Sequence, residues 1–133
     1  MQVESVETES VPVAGNPFVA GCPTREILDR IGDRWTVLVV ESLGAGPLRF
    51  SELARAIEGI SQKMLTQTLR GLERDGLVTR TVHAEVPPRV HYELTDLART
   101  LTALLVALDE WSRAHIGDVL AARERYDGGR ATA

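Results

Sequence analysis

The pattern of apolar and polar positions divides the chain into four short helices, one hairpin and a long last helix. The first helix runs from about Thr24 to Ile31. Pro23 before it suits a first helical position, where its missing N–H has no intrahelical partner to lose, and Gly32 ends it. Asp33 caps a second helix that passes through Trp35, Leu38, Val39 and Leu43 to Gly44. The run Val37–Val40 also reads as a buried strand, but the Asp cap, the terminal Gly and the length favour helix. Gly44–Pro47 is a turn, and Leu48-Arg49-Phe50 is at most a minor strand. Ser51 caps a third helix, Glu52 to Ile57, which buries Leu53 and Ile57 before Glu58-Gly59 breaks it.

The fourth helix, within Gly59–Val78, carries signals at both ends. Ser61 is a good N-cap, and Ile60 and Leu65 stand at the two positions of a hydrophobic staple. Gly76 sits where a left-handed residue is expected after the last turn, with Leu72 and Leu77 as its apolar pair. Winding the segment at about 100° per residue gathers Leu65, Leu69 and Leu72 into one stripe. Lys63, Thr66, Gln67, Arg70 and Arg74 gather on the opposite arc, which has no acidic member. A plain solvated face mixes signs so that Glu can pair with Lys. This one is hydroxyl, amide and cation only, groups that donate to phosphates and to base edges.

Leu77–Val82 and Arg89–Leu94 alternate and are rich in β-branched residues, and between them lies HAEVPP. They read as a two-stranded hairpin. Thr95 caps a long helix reaching at least Ile116. Leu97, Leu101, Leu104, Leu108, Trp111 and His115 follow at spacings of four and three, with Leu105, Ile116, Val119 and Leu120 widening the apolar area. A helix so apolar is buried on more than one side, and in a chain of this size the second side suggests another subunit.

The 133 residues suffice for one domain with a core. The expected divisions are an acidic flexible tail over 1–17, a domain over 18–123 and a flexible tail over 124–133. The single cysteine excludes an intrachain disulfide, and MQVESVETES has no apolar core of a signal peptide. The longest strongly aliphatic run, Val37–Val40, is too short to span a bilayer, so a cytoplasmic protein with no membrane partner is expected. Net charge is −4, a weak argument against a nucleic-acid binder. Its distribution changes the picture. Setting aside Glu4, Glu7 and Glu9 leaves 16 of the 19 acidic residues against 15 basic ones. Between Ser61 and Tyr92, Lys63, Arg70, Arg74, Arg80 and Arg89 outnumber Glu73, Asp75 and Glu85.

No Gly-rich phosphate loop, nucleophile–base–acid set or metal-ligand spacing emerges, so neither an enzyme nor a cofactor is expected. His83, His91 and His115 fall on loop, strand and helix, too dispersed for a metal. Trp35 reads as core rather than as the lining of an effector pocket, and Asp109-Glu110 as a solvated helix face.

A short helix, a Gly-containing turn, a charge-biased helix and a hairpin make a winged helix-turn-helix, mainly α with a small β wing. At Cys22-Pro23, Gly32–Trp35, Arg49–Leu53, ISQKMLTQTLR with LERDGLV, and VPPRVHYELT the sequence resembles the HxlR-type transcriptional regulators, winged-helix proteins related to the MarR type. The resemblance covers about residues 20–120. It implies a homodimer that binds double-stranded DNA, often a repressor, and in several members a sensor of oxidants or electrophiles. Carried over by position, Ser61, Gln62, Lys63, Thr66, Gln67 and Arg70 fall on the recognition helix, Arg89 on the wing, and Cys22 on the family's N-terminal cysteine. The long helix, through Leu101, Leu104, Leu108 and Trp111, supplies the dimer interface, with help from the first helix. Two recognition helices in successive major grooves imply a near-palindromic operator. Gly71 departs from the pattern, which has a long polar residue there, and a mid-helix Gly costs about 1 kcal/mol relative to Ala. The competing reading is a winged-helix protein-interaction module that does not bind DNA. Low net charge favours it, and the acid-free arc and Arg89 oppose it.

Overall fold

The computed structural model describes residues 15–132, and the acidic stretch holding Glu4, Glu7 and Glu9 lies outside them. Five helices and three strands follow in the order α1 (Pro23–Ile31), α2 (Arg34–Leu43), β1 (Leu48–Arg49), α3 (Phe50–Ala56), α4 (Gln62–Arg74), β2 (Val78–His83), β3 (Arg89–Leu94) and α5 (Asp96–Thr132). The strands form an antiparallel sheet in the order β1-β3-β2. The fold class is the expected winged helix-turn-helix with a long last helix.

One apolar core joins the elements. Val39, Val40 and Leu43 of α2 meet Leu53 and Ile57, the α4 stripe Leu65, Leu69 and Leu72, and Leu77, Val78 and Leu94 at the base of the wing. Ala98 and Leu105 carry α5 into it. Trp35 packs against this core half-buried, as a structural residue, with the Arg34 guanidinium 4.4 Å from its ring centre.

Several expectations are corrected. The third helix starts at Phe50, with Arg49 rather than Ser51 as N-cap. Glu52 decides this, because its carboxylate accepts the Arg49 N–H at 2.8 Å, the reach-back bond of a capping box. That helix ends at Ala56, leaving Ile57 extended. Residues 124–132 are not an irregular tail, since α5 stays helical to Thr132. Ala121 to Tyr126 are mostly good helix formers, and propagation of an existing helix needs no new nucleus. The strand β2 is shifted by one residue and takes in His83, which is not in the loop.

Gly71 has a packing reason. A Cβ built there would overlap the Arg30 guanidinium of α1, which passes over the helix to Asp75, Nε to Oδ2 2.8 Å. The missing side chain is the notch through which α1 is tied to the end of α4. A methyl group at Gly71 should gain helix propensity in full only when Arg30 is absent. In urea unfolding, Gly71→Ala should stabilise an Arg30→Ala background by about 1 kcal/mol and the parent by clearly less. Equal gains in both backgrounds would show that Arg30 does not occupy the notch.

Candidate nucleic-acid interface

The two ends of α4 are held as their residues require. Ser61 Oγ accepts the Met64 N–H at 3.0 Å, satisfying one of the N–H groups that a helix start leaves over. At the other end Gly76 takes φ +76°, Leu77 N–H donates to the Leu72 carbonyl at 2.9 Å, and Gly76 N–H to that of Glu73 at 3.1 Å. This is the Schellman pair of bonds. With Leu65, Leu69, Leu72 and also Thr68 turned into the core, the opposite arc must face outward. Ser61, Gln62, Lys63, Gln67 and Arg70 are exposed, while Thr66 is half-buried at the edge of the arc.

Charge on this arc is uncompensated. Among the described residues the ion pairs are Arg30–Asp75, Arg49–Glu52, Arg89–Glu85 and Arg113–Asp109, and none involves Lys63, Arg70 or Arg74. Arg89 differs. It stands at the start of β3, beside the loop of the wing, but Glu85 accepts from its Nη2 at 2.8 Å and its Nε at 3.2 Å. The residue expected to carry the wing's charge is therefore tied to a carboxylate of its own hairpin.

Sequence spacing missed two groupings that the hairpin creates. Arg80 on β2 pairs in register with Tyr92 on β3, and both wall a cleft shared with Thr66, Leu69, Arg70 and Glu73 of α4. The signal available was the segment's excess of Arg; the cleft itself needs the strand register. His83 and His91, expected to be far apart, meet edge to face with ring centres 4.9 Å apart. The antiparallel register sets His91 opposite Thr81, so His83, two residues on, becomes its diagonal neighbour. The described residues contain no group of three or more side chains placed to hold a metal ion.

Cys22 is the N-cap of α1 and is buried, at 2% exposure. Two turns cover it, in which Val19 N–H donates to the Asn16 carbonyl and Cys22 N–H to that of Val19, both at 3.2 Å. Burial pushes the thiol up. The backbone N–H groups of Arg25 and Thr24, the Thr24 hydroxyl and the backbone at Asn16 together outweigh it, and the thiol ends below its ordinary range.

On α5 the expected apolar seam is not core. Leu105, like Ala98 before it, buries fully, whereas Leu104 is 63% and Trp111 57% exposed, with Leu97 and Leu108 also open. Leu101 is half-buried against the core. Asp109 is also corrected from a freely solvated position. It is a partly covered acceptor for Arg113, Nε to Oδ1 2.9 Å. Arg113 holds the Asp109 carboxyl below the usual carboxylate range. Burial, and then the adjoining Asp109, hold Glu41 of α2 above it. This cluster joins α2 to α5 beside the seam.

A profile of HxlR-like helix-turn-helix proteins matches residues 30–119. The chain belongs to the HxlR-like helix-turn-helix family. It is 43% identical over 110 residues to YtfH of Escherichia coli (strain K12), an HTH-type transcriptional regulator, covering 83% of this chain and 87% of that one. The structure of the transcriptional regulator ytfH from Salmonella typhimurium is similar, with a TM-score of 0.76 at 42% identity over 82% of this chain and 97% of the other. The redox regulator HypR in its reduced form gives a TM-score of 0.67 at 40% identity, covering 75% of this chain and 98% of that one. Membership in the HxlR-like family fits the order of motifs from Gly32 to Thr95. No helix among the described residues is long and apolar enough to cross a membrane.

Proposed function

We propose that the protein is a homodimeric transcriptional regulator, a repressor acting in the cytoplasm, that reads a near-palindromic operator with α4 and responds to oxidants or electrophiles through Cys22. The observation that carries the DNA reading is the outward arc of α4, with Lys63 and Arg70 unpaired by any carboxylate among the described residues. The HxlR-like family, and relatives named as HTH-type transcriptional regulators, support the same reading. Lys63, Gln67 and Arg70 would meet base edges or phosphates, Ser61, Gln62 and Thr66 would position the helix, and the wing would lie beside it over the backbone or minor groove. Nothing specific favours the alternative of a protein-interaction module. For a duplex of about 30 base pairs, recovered by repeated selection from a randomised pool, Lys63→Ala and Arg70→Ala should each weaken binding. A lost phosphate contact should lower the salt slope by about one, and a lost base contact should relax one position by about 1–3 kcal/mol. Parent-like binding by both variants would remove α4 as the reading face.

The dimer rests on the open seam of α5. Leu104, Leu108 and Trp111 expose more apolar surface along one line than a solitary helix keeps in water, and Leu28 of α1 is exposed as well. A second α5, with Leu101 at the edge of the contact, would cover it. Leu104→Asp or Leu108→Asp should give monomers in sedimentation and lose affinity for the selected duplex. A parent that sediments as a monomer at micromolar concentration would overturn the dimer.

Cys22 is supported as the sensing group by its lowered thiol pKa and by the likeness to the redox regulator HypR. With one cysteine per chain, a thiolate that adds to a quinone or aldehyde forms a single C–S bond and needs no second thiol. The adduct would have to displace the 16–22 turns that cover the sulfur, and so disturb the start of α1. Duplex affinity should fall after quinone treatment in the parent and not in Cys22→Ser. An equal response in both would take Cys22 out of the mechanism.

A further inference from the structure

Between α4 and the wing sheet lies a cleft of about 320 Å³, walled by Thr66, Leu69, Arg70 and Glu73 on one side and by Arg80 and Tyr92 on the other. Strand alternation puts Arg80 and Tyr92 on the sheet face that buries Val78 and Leu94, so both side chains point toward α4 rather than away from it. Leu69, 2% exposed, closes the inner end. The lining thus offers two guanidinium groups from opposite walls, a phenol and a hydroxyl, against one carboxylate. Neither Arg70 nor Arg80 has an ion-pair partner among the described residues, whereas Arg89 is bound to Glu85.

Duplex geometry says what would face this cleft. A major groove and the minor groove next to it are separated by a single sugar-phosphate strand. A helix in the one and a hairpin reaching toward the other therefore straddle that strand, and whatever joins helix to hairpin lies against it. We propose that the cleft seats one backbone phosphodiester, gripped by Arg70 from the helix and Arg80 from the sheet, and that Arg80 rather than Arg89 is the principal backbone cation of the wing. The inference rests on the reading of α4 as the DNA-binding helix. Arg suits the task because its planar fork can give two parallel N–H bonds to the phosphate oxygens. Tyr92 and Thr66 line the same cleft and carry hydroxyls that can serve as further donors. Glu73 opposes the phosphate, and so keeps affinity for arbitrary DNA down.

The test uses the selected duplex and an unrelated duplex of the same length, titrated over a range of salt. Arg80→Ala should weaken both about tenfold and lower the salt slope by about one, because a backbone contact is blind to sequence. Arg80→Lys should retain more of the affinity than Arg80→Ala. The effect of Arg89→Ala should be smaller than that of Arg80→Ala, and Glu73→Gln should tighten both duplexes. Replacing single phosphates of the selected duplex by neutral methylphosphonates should find one position per half-site where the parent loses affinity and Arg80→Ala loses no more. Arg80 is exposed, so its variants should keep the parent urea midpoint. If Arg80→Ala binds like the parent while Lys63→Ala does not, the cleft is not a phosphate seat and the reading of α4 stands. If the Lys63, Arg70 and Arg80 variants all bind like the parent, both readings fall.

Discussion

The junction at Gly76 and Thr95 holds α4 and the long helix in one frame. Thr95 Oγ1 donates to the Gly76 carbonyl at 2.7 Å and accepts the Ala98 N–H at 3.1 Å, while Thr95 N–H donates to the Leu77 carbonyl at 3.1 Å. One threonine thus closes the end of α4, the base of the wing and the start of α5. Gly76 makes this possible, because only a residue tolerating φ +76° lets the chain leave α4 with its last carbonyls satisfied. Leu77 and Val78 enter the core immediately afterwards. The start of α5 is tied at this knot, and the knot belongs equally to α4. A rearrangement at the seam of α5 has a short covalent and hydrogen-bonded route to the arc of α4.

The part of the structure written locally was legible in the sequence. Ser61, Leu65, Leu72, Gly76 and Leu77 define a helix through contacts no more than a few residues apart, and the acid-free arc follows from the buried stripe by helical geometry alone. Long-range pairing was not legible. His83 and His91 are eight positions apart in sequence and become ring neighbours only through the register of β2 on β3. Arg80 joins Arg70 for the same reason. The start of α3 misled because Ser51 is the better N-cap by type, and the choice was made instead by Glu52 reaching back to Arg49. Gly71 reads as a weak point in a helix by residue type alone, whereas in the fold the Arg30 guanidinium crosses over it.

Total charge says little about this surface, because the charges differ in whether they are already spent. Arg30, Arg49, Arg89 and Arg113 each lie against a carboxylate within their own chain. Such pairs are exposed or half-exposed and contribute little to stability, yet they remove a cation from any outside partner. Among the cations left without a carboxylate partner in the described residues, Lys63, Arg70, Arg74 and Arg80 stand together on α4 and the strand beside it. A chain at −4 can thus present a locally positive surface.

The same accounting applies to apolar groups on α5. A helix needs one buried stripe to hold to its domain, and Ala98 and Leu105, with Leu101 partly covered, supply it. Leu104, Leu108 and Trp111 stand on another side, spaced by four and three residues, the repeat of a helix that packs along a second helix. The Glu41–Asp109–Arg113 cluster lies beside that seam, where carboxyl groups with opposed shifts adjoin one guanidinium. Apolar side chains would give the pairing its strength and the polar cluster would give it a direction, since a like-charged arrangement there would repel. With α5 fixed to α4 at Thr95, the seam of the proposed dimer would also set the separation of its two α4 helices. On the proposed dimer, the spacing of half-sites on DNA would then follow from packing on the long helix rather than from the outward arc of α4.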